Sequence, residues 1–144
     1  MKEHDMSLEK LDSFKTKILV IEDDVNFCKM FKREFDLDGS FDALIVQNVF
    51  RAGVILEEFK PDVILLDIYL EGMDGRDVCK SLRQNTGLKH TKIIGMSGAC
   101  SQEEIMQEVG GGFDGFLKKP FKFIELKEKI RELKSDGPEP FDTS

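Results

Sequence analysis

The sequence predicts an α/β fold in which a five-stranded, doubly wound parallel sheet is covered by five helices. Three observations predict it. Short, continuous apolar runs recur at regular intervals along the 144 residues. Segments of helical period separate them, and no Asn-Gly type turn joins consecutive runs into hairpins. Strands that alternate with helices need crossover connections, and right-handed crossovers place helices on both faces of a parallel sheet.

Four runs have the length of strands buried on both faces: Lys17–Ile21, Ala43–Val46, Val63–Leu66 and Ile93–Met96. Phe113–Leu117 is a weaker fifth. The helical segments are read from apolar groups spaced by three and four. Phe27, Met30, Phe31 and Phe35 mark the first, with Glu34 on the same stripe. Val49, Ala52, Leu56 and Phe59 mark the second, and Val78 with Leu82 the third. Ile105 with Val109 marks a fourth, which Ser101-Gln-Glu-Glu104 would open as a capping box. Phe123, Leu126, Ile130 and Leu133 mark the last. Asp74 suits an N-cap for the third helix, and Asn85 to Gly87 a stop.

One domain is expected over residues 16–134, between an N-terminal extension (1–15) and a disordered tail (135–144) that is polar and carries two prolines. With 40% hydrophobic and 34% charged residues the composition is that of a soluble globular chain. No apolar run approaches the roughly 20 residues of a spanning helix, so no membrane insertion is expected. The first residues lack the apolar core of a secretory signal, and a cytoplasmic location follows. A net charge of −7 argues against direct binding of nucleic acid, which needs a surplus of Lys and Arg. Lys127, Lys129, Arg131 and Lys134 are interleaved with Glu125, Glu128 and Glu132 and read as the solvated face of a helix. Cys28, Cys79 and Cys100 form no CxxC pair and read as small hydrophobes in a reducing compartment. His4 and His90 are isolated surface residues.

In an open parallel sheet ligands bind beyond the carboxyl ends of the strands. The first strand ends in Glu22-Asp23-Asp24, the third in Asp67, the fourth in Ser97-Gly98 and the fifth in Lys118-Lys119-Pro120. A carboxylate directly after a buried run is costly unless it is solvated, paired or bound to metal. Helix capping accounts well for Asp24. It accounts poorly for Glu22 and Asp23 together, because neighbouring like charges repel. A hard divalent cation resolves that conflict, and Mg²⁺, which takes carboxylate, water and phosphate oxygens, suits the set. Such groups support phosphoryl transfer to a carboxylate, with Asp67 as the acceptor and Lys and Ser holding the transferred group.

The motifs ILVIEDD (18–24), PDVILLDIYLEGMDG (61–75), IIGMSG (93–98) and FLKKPF (116–121), taken together and in order, resemble the response-regulator receiver domain of two-component signalling. The resemblance runs from Lys17 to Leu133 and implies a flavodoxin-like sheet of strand order 2-1-3-4-5, as in a single-domain chemotaxis regulator. It implies Asp67 as the phosphorylated residue. Asp23 would bind Mg²⁺ directly, Glu22 through water, and Tyr69 would offer its backbone carbonyl. Ser97 would close onto the phosphoryl group, and Lys119 rather than Lys118 would be the site lysine, before a Pro120 whose bond is commonly cis. Phe116 would be the aromatic switch residue that follows Ser97. The implied partners are a sensor histidine kinase or histidine phosphotransfer protein and a downstream protein. They would be read, or a dimer made, through the face of the fourth helix, fifth strand and fifth helix. The domain would accept and lose phosphate itself and would not be a turnover enzyme.

Four features depart from the family pattern. Glu22 replaces the commoner Asp, and Phe116 the frequent Tyr. Glu71 stands where Pro is usual, which predicts a looser loop after Asp67. Gly110-Gly111-Gly112 predicts flexibility before the fifth strand. Tyr69 and Ala99 flank the expected path of a hydrolytic water, so bulky Tyr69 is a candidate shield for the acyl phosphate. Two other readings compete. A haloacid-dehalogenase-like Mg²⁺ phosphatase would need a second Asp two residues after its nucleophile, where Tyr69 stands. A phosphorylation-independent interaction module would have no use for Asp67, Ser97 and Lys119 together.

Overall fold

The computed structural model describes residues 15–98 and 112–135. Strands β1 (Thr16–Ile21), β2 (Phe41–Val46), β3 (Val63–Asp67), β4 (Lys92–Ser97) and β5 (Gly115–Lys118) form one parallel sheet of order β2-β1-β3-β4-β5. Helices α1 (Val25–Asp38), α2 (Val49–Phe59) and α3 (Gly75–Arg83) and a C-terminal helix (Phe123–Ser135) complete the described residues, with a 3₁₀ turn at Thr86–Leu88. The expected fourth helix and its capping box at 101–104, Ala99, Cys100, Gly110, Gly111 and most of the tail lie outside the described residues.

Two apolar clusters sandwich the sheet. Leu19, Ile21, Ile64, Leu66 and Ile93 face Ala52 and Leu56 of α2 and Val78 and Cys79 of α3. Ile18, Val20, Val63, Leu65, Ile94 and Met96 point the other way, against Phe31 and Phe35 of α1 and Leu126 and Ile130 of the C-terminal helix. Period-two alternation within each strand therefore serves both layers, and the central runs are continuously apolar for that reason. Burying each of these large side chains contributes about 1.5–3 kcal/mol.

Two details differ from expectation. Strand β2 is an edge strand, with Asp42 and Leu44 exposed, so it is half-buried rather than buried on both faces. On α1, Phe27, Phe31 and Phe35 face inward while Met30 is exposed. The caps agree with the residues that nominate them. The Asp24 carboxylate accepts the amides of Asn26 and Phe27, and Asp74 accepts that of Arg76. Helix α3 stops at Arg83, and Asn85 then caps the 3₁₀ turn rather than Gly87 ending the helix in a left-handed conformation.

An element that the spacing of apolar runs does not predict is a two-stranded antiparallel ribbon of Tyr69–Leu70 and Met73–Asp74. It turns at Glu71-Gly72, where Gly72 has φ +78°. That conformation suits glycine. The ribbon carries the chain from the end of β3 into α3.

Candidate functional site

Reversal of strand order between β1 and β3 opens a crevice at their carboxyl ends. Glu22 and Asp23 follow β1, and Asp67 closes β3. One carboxylate oxygen from each of these three lies within 4.8 Å of the others, a cluster that could hold a metal ion. Glu22 is fully buried and Asp67 only 5% exposed. Lys119 follows β5 and reaches across the sheet end. Its ammonium donates to Glu22 Oε1 at 2.5 Å and to Asp67 Oδ2 at 3.2 Å. The preceding Lys118 is exposed, and the Lys119-Pro120 bond is cis.

Electrostatics at the crevice are unbalanced, with three carboxylates facing one ammonium. Burial, followed by the hydrogen bond from Asp67, pushes the Glu22 carboxyl up to about 7, with Lys119 pulling it the other way. Burial alone would lower Lys119, but its bond to Glu22 and the charges of Asp67 and Glu22 outweigh that and raise it. A hard cation with oxygen ligands suits this donor set and its surplus of negative charge. The Cys28 thiol, bonded to the Glu22 carbonyl at 3.2 Å, is pushed up to about 11 by burial and is no nucleophile at neutral pH.

The loop after Asp67 is tied rather than loose. Glu71 donates its amide to Asp23 Oδ2 at 2.7 Å, a bond that proline at this position would lack, and Tyr69 donates its amide to Asp67 Oδ1 at 3.1 Å. Gly75 holds the other end of the loop. Its amide donates to the Ile68 carbonyl at 2.6 Å, and a methyl group at 75 would lie 2.4 Å from the Asp67 carbonyl oxygen. Only glycine fits so close to the acceptor's backbone. The Tyr69 side chain lies toward solvent, 45% exposed.

Ser97 ends β4 and is buried, and its carbonyl accepts the Lys119 amide at 2.9 Å. Register pairs Gly95 with Phe116 and Ser97 with Lys118. The Phe116 ring is 3% exposed and packs with Ile68 and Phe113, the two rings 4.8 Å apart. Gly95 makes the space: a methyl there would lie 2.8 Å from Phe113 Cε1 and 2.9 Å from Phe116 Cδ1.

Glu22, Asp67 and Lys119 are thus in contact, Asp23 is beside them, and Ser97 and Phe116 occupy the adjoining strands. Sequence reasoning passed over Gly75, Gly95 and Phe113. An isolated glycine inside the apolar run of β4 was the available signal for a close approach.

Comparison with known proteins agrees with this geometry. The family described as "Response regulator receiver domain" matches residues 18–131. The DNA-binding response regulator MtrA of Mycobacterium tuberculosis is 30% identical over 131 residues, covering 90% of this chain and 56% of MtrA. The chain thus spans about half the length of the curated relatives it matches. Among solved structures, the signal receiver domain of the DNA binding response regulator protein (merR) from Colwellia psychrerythraea 34H is 31% identical. Its TM-score is 0.73, with 84% of this chain and 99% of that one covered. The chemotaxis response regulator CheY4 of Vibrio cholerae, 22% identical with TM-score 0.72, shares the fold over 83% of this chain and 98% of its own. The chain belongs to the response regulator receiver domain family.

Proposed function

We propose that this domain accepts a phosphoryl group on Asp67 from a phosphohistidine donor and passes the signal by changing the surface around β5. The observation that carries the reading is the convergence of Glu22, Asp23, Asp67 and Lys119 at one crevice from the ends of three strands.

A carboxylate oxygen of Asp67 would attack phosphorus in line as the bond to the donor nitrogen breaks. Lys119, already bonded to Asp67, would stabilise the charge on one transferring oxygen, and the Ser97 hydroxyl would hold another. Glu22, Asp23 and Asp67, with the Tyr69 carbonyl, would hold Mg²⁺, which supplies neutralisation of the phosphoryl oxygens. Tying of the loop by Glu71 and Gly75 keeps the acceptor in place, so catalysis is chiefly positioning.

Drawn toward the phosphoryl group, Ser97 would leave room that Phe116 follows into, shifting a population of surface conformations. A sensor histidine kinase or histidine phosphotransfer protein is the partner such chemistry needs, with a downstream protein or a second copy reading the β5 face. The acid surplus supports a role in which these residues do not grip nucleic acid themselves. Among the described residues no helix is long and apolar enough to cross a membrane. The phosphatase reading is not favoured, since the relatives are regulators and Tyr69 stands where a second Asp is needed. Incubation with acetyl phosphate and Mg²⁺, read by intact mass, tests the proposal. A single phosphoryl adduct that needs the metal supports it. Steady hydrolysis of many phosphomonoesters would favour the phosphatase, and no adduct would favour an inert module.

A further inference from the structure

Lys119 is held on a second side that no carboxylate provides. Its ammonium lies 4.6 Å from the centroid of the Phe27 ring, within the range at which a cation is attracted to an aromatic face. Phe27 sits in the first turn of α1, where the Asp24 carboxylate accepts its amide at 3.2 Å. Six residues of chain, 22–27, therefore place both the Glu22-Asp23 pair and this ring. The ring is held in T-shaped contacts with Phe31 at 4.4 Å and with Phe121 at 5.9 Å. Phe121 in turn lies two residues after Lys119, across Pro120.

Four flexible methylenes carry a lysine ammonium, and restricting them costs rotamer entropy that the protein must offset. Glu22 and Asp67 attract Lys119 into the crevice. The face of the half-buried Phe27 ring adds an attraction of its own, so the ammonium is confined to the region that ring and carboxylates share. We propose that Phe27 is a positioning residue for phosphoryl transfer, holding the Lys119 ammonium against Asp67 through its aromatic face. The inference rests on the reading of Asp67 as acceptor and Lys119 as its partner. It adds a role for a ring that packing alone leaves as one more phenylalanine in the cluster between α1 and the C-terminal helix.

The test replaces Phe27 in the full chain with 4-fluoro-, 3,5-difluoro- and 3,4,5-trifluorophenylalanine. Fluorination leaves the shape nearly unchanged and progressively weakens the ring's negative face. With acetyl phosphate and Mg²⁺, the logarithm of the phosphorylation rate is expected to fall stepwise along the series, about three- to tenfold in all, at an unchanged melting temperature. Phe27→Leu should be as slow as the trifluoro protein, and Phe27→Tyr should stay near wild type. In a carbon–proton correlation spectrum the Lys119 Cε protons should show a ring-current shift that Phe27→Leu removes. A flat fluorination series, or slowing confined to variants that also lose stability, would overturn the inference. Absence of an Asp67 adduct in the wild type would instead overturn the underlying reading, so the two failures are distinguishable.

Discussion

Gly95→Ala probes the coupling between the strand that carries Ser97 and the ring that would follow it. A methyl at position 95 would lie 2.8 Å from Phe113 and 2.9 Å from two atoms of Phe116, all ring carbons in a buried cluster with Ile68. Two responses are open to the protein. If both rings stay, the extra methyl overpacks the site at a cost of about 1–3 kcal/mol. If Phe116 leaves, it forfeits burial worth about 1.5–3 kcal/mol. Either way the stability loss is about 1–3 kcal/mol, and the urea midpoint should fall by about 1 M with an unchanged slope. The assay is equilibrium denaturation of four proteins: wild type, Gly95→Ala, the pair Phe113→Leu with Phe116→Leu, and all three changes together. Because the clash is with the rings, Gly95→Ala should cost less than about 0.5 kcal/mol once both are leucine. An equal cost in both backgrounds would refute the argument. It would mean that glycine is needed by the strand backbone and not by the rings.

Other perturbations follow from the same geometry. Gly75→Ala drives a methyl into the Asp67 and Ile68 backbone, so it should destabilise the fold by about 2 kcal/mol or more and slow phosphorylation, checked by denaturation and adduct formation. Mg²⁺ should raise the melting temperature over that in chelator, and Asp23→Asn should remove most of the rise, measured by thermal scans. Asp38 is held below the usual carboxylate range, first by its hydrogen bond from Lys127 and then by that from Ser40. A depressed folded pKa gives stability that is present above the unfolded value and lost as pH falls through the folded one. Lys127→Met should therefore cost stability at neutral pH and flatten the decline below about pH 4, as read from denaturation against pH. Tyr69→Ala should shorten the life of the acyl phosphate if the ring shields it, as followed by the decay of the adduct mass.

The sheet was legible because strands buried on both faces are written as unbroken apolar runs and the helices between them as three-four stripes. The acids were legible because a carboxylate directly after such a run has no business in a core. What sequence could not show was which oxygens meet. Nothing local to Lys118-Lys119 distinguishes the lysine that crosses to Glu22 from the one that faces solvent, and only the family resemblance selected Lys119. The Glu71-to-Asp23 hydrogen bond joins residues 48 positions apart through a backbone amide, which leaves no trace in residue type. Expecting a looser loop there followed from the missing proline ring, whereas the amide that proline lacks is what ties the loop. Strand β2 was read as doubly buried because its apolar run is continuous, yet its place at the sheet edge decides its exposure. Gly95 hid within a strand because its reason lies in rings 18 and 21 residues further on.

Asp67, and no other carboxylate of the acidic crevice, is the residue proposed to form the acyl phosphate. Protein phosphorylated with acetyl phosphate and Mg²⁺ can be reduced with borohydride, which converts a phosphorylated aspartate to homoserine, and the peptides then sequenced by mass spectrometry. Homoserine is expected at position 67 alone, and none in Asp67→Asn. Homoserine at position 23 in the wild-type protein, or an adduct that persists undiminished in Asp67→Asn, would contradict it.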